Sequence, residues 1–108
     1  MRLLPLLSGG LAAAVVAAAV ALPAEGATTS VSVKDNVFAP TSKTVKRGDT
    51  VRFVWRGRAP HNVVISGPKR ASSPIQMKGT FSYRAAKAGA HRVVCTIHPG
   101  MEMRLRVR

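Results

Sequence analysis

Beyond residue 27, apolar and polar side chains alternate singly along the chain, most plainly where Met103, Leu105 and Val107 interleave with Arg104, Arg106 and Arg108. A period of two suits an extended strand with one buried and one wetted face, and it cannot lay an apolar stripe along a helix. The same alternation predicts strands at Val31 and Val33, at Thr44 to Lys46, and at Val51, Phe53 and Trp55. It recurs at His61 to Ile65, at Phe81 and Tyr83, and at His91, Val93 and Cys95. Turn signals separate these runs: Asp35-Asn36 and Ala39-Pro40 on either side of Val37-Phe38, then Gly48-Asp49, Gly57 with Pro60, Gly67-Pro68 and Gly89. Lys69 to Lys78, with Pro74 inside it, has no clear periodicity and is expected to be a polar connection. About seven short strands without a helix predict an all-β fold, a β-sandwich of Greek-key type.

The alternation starts only after a different kind of segment. Arg2 precedes an apolar run whose centre, Leu11 to Leu22, is made of Leu, Ala and Val, and the chain turns polar after Pro23. Residues 1–26 therefore are expected to be a secretory signal peptide, cleaved near Ala24 to Ala27, with one domain at 27–108. An uncleaved anchor is the competing reading, opposed by Pro5, Ser8, Gly9 and Gly10 within a run barely long enough to span a bilayer. Export to the periplasm or the cell exterior follows as the expected localisation.

A domain of roughly 80 to 85 residues buries a modest core and gains from a staple. A disulfide cannot supply it, because Cys95 is the only cysteine. An unpaired cysteine in an exported chain calls for metal ligation or an intermolecular bond. The formal charge of +13 arises from 17 basic and 4 acidic residues, and the basic residues are scattered singly, as on the wetted faces of strands. Such a surface attracts acidic proteins or anionic membranes in a salt-dependent way. Nucleic acid is not expected as a partner: the chain has no aromatic-studded basic motif, zinc-finger spacing or helix-turn-helix pattern.

The chemistry concentrates in Cys95-Thr96-Ile97-His98-Pro99-Gly100-Met101 and in His61, which is followed by Asn62. One thiolate, two imidazoles and a thioether form a donor set suited to copper as Cu(I) and as Cu(II). Pro99 and Gly100 can turn the short loop so that its donors face one ion. The fourth ligand must come from elsewhere. His91 lies four residues before Cys95 on the same strand face, about 13 Å away along an extended chain, which is too far to share the ion. His61 is thus the expected partner. Met101 and Met103 compete for the axial place: both have core parity, and Met101 leaves the shorter loop.

CTIHPGM, the HNVV at His61 to Val64, the F-x-P at Phe38 to Pro40 and the GDTV at Gly48 to Val51 together resemble the cupredoxin family, in particular its small amicyanin-like and plastocyanin-like members. The resemblance covers nearly all of the expected domain. It implies a Greek-key β-sandwich with one type 1 copper held by His61, Cys95 and His98, and with Met101 as weak axial ligand. C-x-x-H-x-x-M is similar to the short amicyanin loop, whereas ligation by Met103 would give the plastocyanin spacing. The resemblance also implies that Asn62 ties its segment to the backbone near Cys95 or Thr96, and that the His98 ring edge is the electron's exit. Position 103 often carries Gly in the family, position 91 Tyr and position 93 an aromatic; here they are Met, His and Val. These departures concern packing below the site more than the ligand set.

The function expected is that of an exported, monomeric electron carrier exchanging single electrons with acidic redox proteins. A copper-handling role in storage, delivery or resistance would use the same ligands and is the alternative. No catalytic constellation is present, and a copper ion saturated by protein groups leaves no position for substrate.

Overall fold

The computed structural model describes residues 26–108; the expected signal peptide and its cleavage sites lie outside the described residues. Among the described residues nine strands build the fold: β1 (Thr28–Lys34), β2 (Val37–Ala39), β3 (Ser42–Val45), β4 (Thr50–Trp55), β5 (Val64–Ser66), β6 (Ala71–Ser72), β7 (Thr80–Arg84), β8 (Gly89–Val94) and β9 (Glu102–Val107). They form two sheets, ordered β2-β1-β4-β7 and β3-β9-β8-β5-β6. Each sheet holds one parallel pair, β1 with β4 and β3 with β9, among antiparallel neighbours. The chain passes repeatedly from one sheet to the other, as a Greek-key sandwich requires. Among the described residues no helix is long and apolar enough to cross a membrane.

Three of these nine strands depart from the sequence expectation of about seven: β2 forms at Val37–Ala39, between the two turn signals, and pairs antiparallel with β1, and β5 and β6 differ as follows. β6 lies inside the stretch expected to be a plain connection, where it pairs Ser72 with Val64 and Ala71 with Ile65. Its two residues are too few to show a period. His61 does not begin a strand: β5 starts at Val64, and His61 makes a single bridge to Gln76. Ser73 Oγ accepts the Val63 N–H at 2.8 Å, so a side chain takes the bond that a strand neighbour would otherwise provide.

The alternation sets the core. Val31, Val33, Val51, Phe53, Trp55 and Tyr83 face inward from one sheet, and Ile65, Val93, Met103, Leu105 and Val107 from the other, all buried. Phe38 packs edge-on against Phe53, ring centroids 6.3 Å apart. Burying a side chain of this size contributes about 1.5–3 kcal/mol. Outward positions on β9 hold Glu102, Arg104 and Arg106 in water. The β1–β2 turn, the β4–β5 connection and the β8–β9 loop come together at one end of the sandwich, linked by hydrogen bonds among Asp35, His61 and Asn62 and the 95–98 loop.

Candidate metal centre

Four backbone and side-chain bonds fix His61 as the chain leaves β4. Its N–H and C=O both pair with Gln76 at 3.0 Å, and the buried Trp55 indole donates from Nε1 to the same carbonyl at 3.0 Å. The ring's Nε2 lies 2.9 Å from Asp35 Oδ1 in the β1–β2 turn. The side chain is fully buried, so its orientation is set by protein groups alone.

The second segment closes on itself. Cys95 N–H donates to the Met101 carbonyl at 3.0 Å, and Met101 N–H donates to the His98 carbonyl at 3.1 Å, so the loop continues the β8–β9 ladder by one pair. Gly100, with φ of 85°, takes the left-handed conformation that the tight return needs. Asn62 couples the two segments: Thr96 N–H donates to its Oδ1 at 2.8 Å, and its amide nitrogen donates to Thr96 Oγ1 at 2.9 Å. This is the tie that the family resemblance implies.

Three donor atoms converge between the segments. His61 Nδ1 and His98 Nδ1 are 3.1 Å apart, and Cys95 Sγ lies 3.4 Å from His98 Nδ1 and 3.9 Å from His61 Nδ1. Donors sharing one first-row ion at bond lengths of about 2.0 Å for nitrogen and 2.3 Å for sulfur are separated by roughly 3 to 4 Å. The spacing therefore fits one metal ion. His61 and Cys95 are buried and His98 is half-buried.

Met101 is 1% exposed and stands opposite Cys95 in the extended ladder. Met103 is also buried but pairs with Val93, one step deeper in the sandwich. Two residues along a strand amount to about 7 Å, so the two thioethers are not equivalent with respect to the Cys95 end. His91 is brought to neither. It sits against the β5–β6 hairpin, where Lys69 N–H donates to its Nε2 at 3.3 Å and its Nδ1 lies 3.2 Å from the Gly89 carbonyl.

Asp35 is the site residue that the sequence reading missed, as it registered only as half of a turn. Besides His61, its carboxylate accepts N–H bonds from Ala59 at 2.9 Å and Arg58 at 3.0 Å. The Ala59 N–H foremost, followed by His61 and the Arg58 N–H, hold its carboxyl down at about 2. Asn36, with φ of 66°, supplies the turn that brings it there. Its partners lie more than twenty residues away in sequence, and no local spacing signals them.

A model of the family described as copper binding proteins, plastocyanin/azurin family, matches residues 24–108. Among solved structures, a reduced tryptophan-to-tyrosine mutant of amicyanin is 30% identical with a TM-score of 0.67, over 82% of this chain and 88% of that one. A purple cupredoxin from Nitrosopumilus maritimus is 17% identical with a TM-score of 0.66, over 74% of this chain and 99% of that one. A copper-containing nitrite reductase from Thermus scotoductus SA-01 is 24% identical with a TM-score of 0.68, over 82% of this chain. This chain spans only 24% of that reductase, and these last two likenesses concern the fold alone.

Proposed function

The chain belongs to the plastocyanin/azurin family of copper-binding proteins, and from that membership we propose that it carries single electrons through a type 1 site formed by His61, Cys95, His98 and Met101. Copper is its cofactor. When bound, copper supplies the one-electron exchange between Cu(I) and Cu(II). The observation that carries the reading is the convergence of one thiol sulfur and two ring nitrogens, all within 4.8 Å of one another, at one end of the sandwich.

The surrounding residues suit that role. Electron exchange is fast when ligands move little between oxidation states, and the bonds from Trp55, Gln76, Asn62 and Asp35 hold the ligand segments in place. The position of Met101 opposite Cys95 supports it over Met103 as the thioether that would join the other three donors on the ion. His98 is the half-buried ligand, flanked by the exposed Ile97 and Pro99, so its ring edge offers the electron a short path to a partner docked on this end. Such encounters are small and brief.

The partner's expected charge follows from the carboxylates of the described region. Asp35, Asp49 and Glu102 are all engaged within the molecule, by His61, by the Lys46 and Ala27 N–H groups and by Arg92 respectively. Most of the basic surface is left uncompensated, which favours acidic redox proteins and, secondarily, anionic membranes. Export with cleavage near Ala24 to Ala27, and action as a monomer without enzymatic activity, complete the proposal.

A copper-handling protein would release its ion to an acceptor, whereas an electron carrier keeps it. Repeated reduction and reoxidation of the copper-loaded protein in the presence of a Cu(I) chelator separates the two. Full recovery of the oxidised spectrum over many cycles is the expected result; loss of copper to the chelator on the first reduction would replace electron transfer with delivery.

A further inference from the structure

We propose that Asp35 is a positioning residue that sets the reduction potential: its carboxylate holds the Nε2–H of His61, presents a bare Nδ1 to the metal and biases bound copper toward Cu(II). The inference rests on the proposed ligand role of His61. An ionised carboxylate only accepts hydrogen bonds, so the ring nitrogen 2.9 Å from Asp35 Oδ1 must carry the proton. A neutral imidazole has one N–H, and its other nitrogen is then a lone pair. That nitrogen, Nδ1, is the one facing Cys95 Sγ and His98 Nδ1. A neutral ring held this way is in its metal-binding tautomer before metal arrives, and its complete burial keeps water from competing for either nitrogen.

The carboxylate is itself held. Oδ1 accepts from Ala59 N–H and Arg58 N–H as well as from His61, and Oδ2 accepts from Arg58 N–H. Gly57 makes the approach possible, because a Cβ at that position would collide with Asp35 Oδ1. A negative charge on the far side of a ligand raises the ligand's basicity and stabilises the more highly charged state of the ion.

The bond pattern allows charge to be separated from geometry. In Asp35→Asn the amide oxygen can take the place of Oδ1 and keep all three of its bonds. The lost Oδ2 served only Arg58 N–H, which Oδ1 also reaches. Potentiometry of copper-loaded Asp35→Asn is expected to show an intact copper band, with Cu(II) binding weakened relative to Cu(I) by roughly tenfold or more. Each tenfold is a rise of about 59 mV for a one-electron couple. Gly57→Ala, whose Cβ would press on both the Asp35 carboxylate and the Asp35 backbone nitrogen and so shift the turn that carries the charge, is expected to move the potential in the same direction. Nitrogen-15 resonance spectra of the metal-free wild type are expected to show His61 protonated at Nε2 and bare at Nδ1.

An intact band with an unchanged potential in Asp35→Asn, or a His61 ring protonated at Nδ1, would overturn the role of Asp35 while leaving the copper site standing. A wild-type protein that shows no thiolate-to-copper band would instead overturn the proposed function, and this inference with it.

Discussion

Met101 and Met103 differ by two residues, both are buried, and composition cannot choose between them. Pairing favours Met101, which faces Cys95 across the ladder, over Met103, which faces Val93 in the core. Met101→Gln is therefore expected to alter the visible spectrum of the copper-loaded protein and to lower its potential. Met103→Leu is expected to leave both unchanged and to cost less than about 1.5 kcal/mol in denaturant unfolding, as a volume-conserving core swap. A larger spectral effect at position 103 would reverse the assignment. The residue-scale features legible in the sequence were those with a local signature, namely the C-x-x-H-x-x-M loop and His61-Asn62. Asp35 was illegible because a turn aspartate looks the same whether its carboxylate meets water or a histidine 26 residues away.

At the level of elements, strong alternation made β1, β4, β8 and β9 readable, whereas β6 escaped because two residues carry no period. The short β5–β6 hairpin is held to β8 by features that sequence does not reveal. Gly67, with φ of 130°, brings the turn against β8, where a Cβ would sit 2.8 Å from the Ala90 carbonyl and 3.0 Å from the His91 ring. Tyr83 O–H donates to the Lys69 carbonyl at 2.8 Å, and Lys69 N–H donates to His91. Gly67→Ala must strain both the backbone and this contact, and it is expected to lower unfolding stability by more than about 1 kcal/mol. Calorimetry checks this; an unchanged midpoint would show that the hairpin is not tightly seated on β8.

For the molecule as a whole, a charge of +13 with few carboxylates bears on stability and on the acidic partners proposed above. Lys46 N–H, foremost, and Ala27 N–H hold the Asp49 carboxyl below its usual value, and the Arg92 guanidinium does the same for Glu102. Both groups are depressed in the folded state, so their contribution is present above the ordinary carboxyl range and is lost as pH falls through their lowered values. The melting temperature of the metal-free protein is expected to drop as pH falls below about 4, where ordinary carboxyls titrate. A melting temperature constant down to pH about 2 would contradict that linkage. Reduction by an acidic redox partner is expected to slow as salt rises, since screening shortens the reach of the basic surface; a salt-independent rate would mean that apolar contacts around His98 govern docking. Every role proposed for these residues depends on copper binding at the His61, Cys95 and His98 cluster. Visible absorption and electron paramagnetic resonance after adding one equivalent of Cu(II), followed by a reductant, test it directly. An intense blue thiolate-to-copper band with narrow copper hyperfine splitting, lost reversibly on reduction and absent in Cys95→Ser, is the result expected; copper bound without that band, or a band that survives Cys95→Ser, would contradict it.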